Sequence, residues 1–249
     1  MAKASTQKTG GTLLGGMSIG RDLALGALIA ELLGSALLAF AVLMAGNNPI
    51  VAAVTVIVGV LIFAELSGGH LNPVVTIVAC VLKNITWVKA LGYIVVQVLG
   101  AVLAYVIVAK FMADSTIFTL FTPEDQVQAL EQYGQASQAH VPGEWKPIFG
   151  ELVGSIIFAF GAASAFLYKK VGFDRAFTIG GALMVGLIAA LAGSYAVVNP
   201  AVAVSVGAFS QGGWWSFAAY GLAPIVGAAI GAGLFKLLKQ DVEAVDKKK

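Results

Sequence analysis

In a chain this apolar, the polar residues that could do chemistry are few, and their spacing is informative. Asn72-Pro73-Val74 and Asn199-Pro200-Ala201 each open a short apolar stretch, at 72–82 and 199–209. Asparagine favours a helix cap and proline the first helical turn, so each Asn-Pro predicts a helix start. A helix of about ten residues is half of what a bilayer crossing needs. Non-helical backbone at membrane depth is tolerated only when it is buried or lines a water-filled cavity. The residues before each box are Gly68, Gly69 and His70 in the first copy and Tyr195, Val197 and Val198 in the second. Their backbone would line a path with acceptors, while the Asn72 and Asn199 amides would donate where the two helix starts meet. Positive helix ends meeting at one point disfavour cations there. Such groups could orient a passing polar molecule, but they include no catalytic group.

Other polar residues stand inside apolar stretches. Glu31 and Glu151 are intramembrane carboxylates, functional candidates by default, although bonding the loop backbones as scaffold is the better reading. His70 either gates a mouth by titrating or, more in keeping with its place, positions the first loop. Glu65 either snorkels at a helix end or acts as a vestibule acid attracting cations. The lone Cys80 reads as packed within the first short helix, and it excludes an internal disulfide framework and a multi-cysteine metal site. No metal and no cofactor are expected.

The elements that must position these groups follow from composition. Of 249 residues, 59% are hydrophobic and 11% charged, with a mean hydropathy of +0.89. A soluble domain carries about 25% charged residues, so a soluble globular enzyme and a disordered chain are excluded. The net charge of +2 is too small and too scattered for a nucleic-acid partner. Six stretches are long enough to span, roughly 23–46, 50–66, 87–112, 147–168, 176–195 and 214–238. Residues 1–20 are polar and Gly-rich, unlike a cleavable signal peptide. Lys3, Lys8, Arg21, Lys83, Lys89, Lys169, Lys170, Arg175, Lys236, Lys239 and Lys247 to Lys249 flank one side of these spans. Lys110 and Lys146 flank the other, beside Asp114, Glu124, Asp125, Glu131 and Glu144. This bias predicts a multi-pass integral membrane protein of the plasma membrane with both termini cytoplasmic. The outer connection 113–146 is the only long polar segment; it reads foremost as a solvated connector between the two halves, and Thr122-Pro123 could start a short surface helix there to about Tyr133.

The two halves repeat each other. Glu31 to Phe40 recurs at 151–160, and the second Asn-Pro box follows the first at an offset of 127 residues. Trp87, Tyr93, Gly100 and Ala101 recur at that offset as Trp214, Tyr220, Gly227 and Ala228. Each repeat (about 22–112 and 147–238) holds three spans, an odd number, so the second copy inserts upside down within one channel-like domain, 1–249. Inverted repeats place functional sites at their interface near the midplane. The fold class is therefore all-α, with six transmembrane helices and two re-entrant half-helices.

Ser67 to Thr76, with its Asn72-Pro73-Val74, together with Asn199-Pro200-Ala201, resembles the two signatures of the aquaporin or major intrinsic protein family. Val74 stands where that family usually has Ala. The resemblance covers about 22–238 and implies a passive channel, with one pore per subunit of a homotetramer in the lipid bilayer. It also implies an outer constriction of four side chains, here Ala52, Leu187, Ala196 and Val202, with Val202 at the family's Arg position. Tyr195 replaces a Gly common in the family and could refill some of the space. An Arg offers a fixed charge and five donors, and Val offers neither. The expectation is an unusually wide, apolar filter passing water and small neutral solutes such as polyols, protonated organic acids or metalloid hydroxides. A cation-leaky channel and a closed structural or adhesion protein remain as alternatives from other classes.

Overall fold

The computed structural model describes residues 23–113, 145–210 and 213–247. The surface helix weighed from Thr122 to Tyr133 lies outside the described residues, as do Lys3, Lys8, Arg21, Lys248, Lys249, Asp114, Glu124, Asp125, Glu131 and Glu144 of the charge pattern. The chain forms α1 (Leu25–Met44), α2 (Pro49–Ser67), α3 (Pro73–Val81), α4 (Trp87–Ala113), α5 (Lys146–Leu167), α6 (Gly172–Ala190), α7 (Pro200–Ser205) and α8 (Trp214–Asp246), with no strand among the described residues. All but α3 and α7 are long and apolar enough to cross a membrane, yet only 33% to 50% of each span is buried within the chain. The rest of each span is an apolar outer face, as a bundle solvated by lipid requires.

Local chemistry explains where the key helices start. Asn48, Asn72 and Asn199 each cap a helix whose first residue is Pro49, Pro73 or Pro200. Their side-chain oxygens accept from Ile50 N, Val74 N and Ala201 N at 2.9, 2.8 and 3.0 Å. Each cap is worth about 1 kcal/mol. In α8 a π-turn over Ala218–Leu222 precedes Pro224; the wider turn absorbs the hydrogen bond that a proline cannot donate.

Three elements differ from the sequence expectation, one being the last span, which continues as helix past 238 to Asp246. The helix placed at 176–195 runs from Gly172 to Ala190, because Asp174 sits favourably in its first turn and Arg175 folds inward rather than marking an interface. The second half-helix, expected over 199–209, is only Pro200–Ser205. It stops where Ser205 Oγ bonds back to Val202 O at 2.8 Å and Gly207 turns left-handed at φ 70°.

Packing repeats the internal symmetry. α1 packs on α4 and α5 on α8, while each half-helix rests on the last span of the other repeat, α3 on α8 and α7 on α4. Gly100 and Gly227, equivalent in the repeats, make the close approaches: a Cβ there would lie 2.2 Å from Leu32 O and 2.8 Å from Leu152 O. Backbones this close exploit the small-residue packing of membrane helices. The reciprocal clasp brings the two Asn-Pro boxes together inside the bundle.

Candidate functional site

Each re-entrant loop is held by a fully buried glutamate from the first helix of its own repeat. Glu31 Oε1 accepts from His70 N at 2.8 Å and Ser67 Oγ at 2.6 Å, and its Oε2 accepts from Leu71 N and Gln97 Nε2, both at 2.8 Å. Glu151 accepts from the equivalent Val197 N at 2.9 Å, Val198 N at 2.7 Å and Ser194 Oγ at 2.7 Å. Every contact reaches the carboxylate as a donor, which suits an acceptor-only group. The loops need this support. Gly69 and Leu71 are left-handed at φ 61° and 54°, and their mates Ala196 and Val198 at 52° and 48°.

The boxes meet directly. Asn72 Nδ2 donates to Val198 O at 3.1 Å, whereas Asn199 Nδ2, although buried, has no partner among the described residues. Val74 and Ala201 are fully buried beside them. The backbone acceptors assigned to a path from sequence are partly engaged. Gly68 O accepts from Arg175 Nη2 at 2.7 Å, Ala196 O from Asn47 Nδ2 at 3.1 Å, and Tyr195 O also from Asn47 Nδ2.

Of the residues assigned to the constriction, Ala52, Leu187 and Val202 line one cavity with Asn199. Ala196 is fully buried and does not line it. The cavity measures about 10 Å³, room for a single water. Leu38, Val42 and Leu183, which no spacing rule singled out, also line it. The Tyr195 ring does not refill it; it stacks on Tyr220 with centroids 6.2 Å apart.

The family of major intrinsic proteins matches residues 19–235. The chain belongs to that family. It is 30% identical over 189 residues to probable aquaporin TIP1-2 of Oryza sativa subsp. japonica, covering 75% of this chain and 68% of that protein. It is 28% identical to aquaporin-4 of Bos taurus over 70% of this chain, but that match spans only 50% of the relative. Among solved structures, the aquaglyceroporin from Plasmodium falciparum aligns with a TM-score of 0.52 at 19% identity, over 88% of this chain and 94% of that one, a likeness of fold.

Within this major intrinsic protein, the end opposite the constriction is a packed assembly. His70 is 3% exposed, its ring set edge-on to Tyr93 and Phe166 at 5.3 and 5.7 Å, with Nδ1 3.2 Å from Thr76 Oγ1. The ring is thus packed among α3, α4 and α5, beside the loop that carries it. Arg175 lies over the Phe166 ring at 4.8 Å, and Glu65 is exposed. Cys80 is half-buried in α3. Sequence reasoning missed Gln97, Arg175 and Asn47. Gln97, a polar residue in mid-span, was a legible signal; Asn47 and Arg175 read only as a turn residue and a flanking charge.

Proposed function

We propose that this chain is a passive channel for water and small uncharged solutes, with the path passing Asn72 and Asn199 and narrowing between Ala52, Leu187 and Val202. The observation that carries the reading is the constriction: a cavity of about 10 Å³ with mostly apolar walls, lined also by Asn47 and by Asn199, whose Nδ2 has no partner among the described residues. A water can enter, take one hydrogen bond and leave. An ion would have to shed its hydration with nothing to replace it, which is costly in apolar surroundings. Exclusion of ions thus rests on dehydration, because Val202 supplies no fixed charge. The relatives named as aquaporins support water as a permeant. Polyols, protonated acids and metalloid hydroxides pass only if Leu38, Val42 and Leu187 move apart, so they form the slower class.

The apolar outer faces support lateral assembly, read as a homotetramer. The Lys and Arg bias supports cytoplasmic termini in a plasma membrane, and the repeats 22–112 and 147–238 form one channel domain. The reading is tested by reconstituting the protein into liposomes and following vesicle volume with uncharged solutes of graded size, alongside conductance. Flux should fall steeply from urea-sized to glycerol-sized solutes, with no ionic current. A sustained cation current would overturn it in favour of a leaky ion channel, and the absence of any flux in favour of a closed structural protein.

A further inference from the structure

One buried polar contact is not used by the pore reading as it stands, and it is made by Asn47. The residue sits in the turn between α1 and α2, 7% exposed, at φ 58°. Asparagine holds this left-handed conformation more readily than most residues. The turn does not need its side chain: Asn47 N closes α1 onto Val42 O at 3.0 Å, and Asn48 caps α2. The Asn47 amide instead crosses to the other repeat and donates to Tyr195 O and, at 3.1 Å, to Ala196 O.

The opposite end of the bundle carries the mirror contact. Arg175, in the first turn of α6, donates to Gly68 O at 2.7 Å. Gly68 and Tyr195 are equivalent by the offset of 127 between the boxes. Each repeat's second span therefore begins with a donor that clasps the other repeat's re-entrant loop, an amide at one end and a guanidinium at the other. A second observation gives the amide end a particular role. Beside the constriction lies a cavity of about 310 Å³ between α1, α4 and the end of α7, and among the described residues Asn47 and Val42 alone line both spaces.

We propose that Asn47 is the specificity-determining donor of the constriction, holding the Tyr195 and Ala196 carbonyls in place and walling the path off from the side cavity. It supplies from the α1–α2 turn the donor that Val202 cannot supply from α7. This role rests on the channel reading above.

The test uses the full chain in liposomes. Asn47→Gly keeps the left-handed backbone and removes the side chain. Asn47→Asp keeps the shape and turns a donor towards two acceptors into a third acceptor. Both should raise the ratio of glycerol to water permeability at least about fivefold, the scale of one net hydrogen bond. A shift in Asn47→Gly alone would overturn the donor role. Val202→Arg supplies a control against simple misfolding. In the parent its guanidinium meets carbonyls already taken by Asn47, so the thermal midpoint should fall. In Asn47→Gly the Asn47 donor to these carbonyls is gone, so Val202→Arg should return the permeability ratio towards the parent's. Additive effects in this cycle would overturn the proposal. A conducting parent whose ratio ignores both Asn47 variants would overturn the role of Asn47 alone, whereas a parent with no flux would overturn the channel reading and this role together.

Discussion

Replacing Glu151 with glutamine probes how the second re-entrant loop keeps its shape. The carboxylate accepts from Ser194 Oγ, Val197 N and Val198 N at 2.7, 2.9 and 2.7 Å. Around these contacts Ala196 and Val198 are held at φ 52° and 48°, a region unfavourable for L-residues and most of all for a β-branched one. Such residues cost about 1–3 kcal/mol each and persist only where the surroundings over-determine them. Glutamine has the same shape but exchanges one acceptor oxygen for an NH₂ group, so one loop donor then faces another donor. Losing one charge-assisted hydrogen bond and leaving its N–H buried and unpaired costs about 3 kcal/mol. For a chain of this size that lowers Tm by about 6–12 °C. The assay is the thermal midpoint in detergent, with hydrogen exchange at the Val197 and Val198 amides and osmotic flux of the same preparation. Glu31→Gln should lose less, because Gln97 Oε1 is buried nearby with no partner among the described residues and can accept from the new amide. An unchanged midpoint and unchanged amide protection in Glu151→Gln would refute the scaffold role, as would a larger loss in Glu31→Gln.

Further outcomes follow from the packing. Gly100→Ala should destabilise more than Gly227→Ala, because its new Cβ would lie 2.2 Å rather than 2.8 Å from the facing carbonyl; thermal midpoints compare them. Gly69→Ala should destabilise by about 1–2 kcal/mol through its left-handed φ of 61°, while Ala196→Gly should be near neutral, strain relief being offset by chain entropy. In a Cys80→Ser background, a mercurial should block water flux through Val202→Cys, which lines the constriction, but not through the buried Ala196→Cys. The reverse pattern would misplace the path.

Much of the architecture was legible because it rests on periodic or local signals. Asn72-Pro73 and Asn199-Pro200 announce helix starts by capping chemistry, and the observed caps at Val74 N and Ala201 N use that chemistry. The recurrence of Glu31 as Glu151 placed two acids at equivalent points, and both bond loop amides. What stayed hidden was long-range. Asn47 and Asn48 look alike in sequence, yet one caps its own helix and the other reaches the opposite repeat. Arg175 read as a flanking charge, but its side chain turns inward to Gly68 O. The cavity at the constriction is lined not only by Ala52, Leu187 and Val202 but also by Leu38 and Val42 of α1 and Leu183 of α6. Their apolar type suits any core, so no spacing could single them out. The early end of α7 depends on a left-handed Gly207, and glycine permits that conformation without demanding it.

The central claim is that the meeting of the two Asn-Pro boxes creates a path for water and not for ions. It is tested most directly by stopped-flow shrinkage of proteoliposomes under an impermeant osmolyte, with conductance measured on the same vesicles. The expected result is osmotic water flux well above that of protein-free vesicles, increasing with protein density, at background conductance. Shrinkage no faster than that of empty vesicles, or flux accompanied by ionic current, would contradict the account.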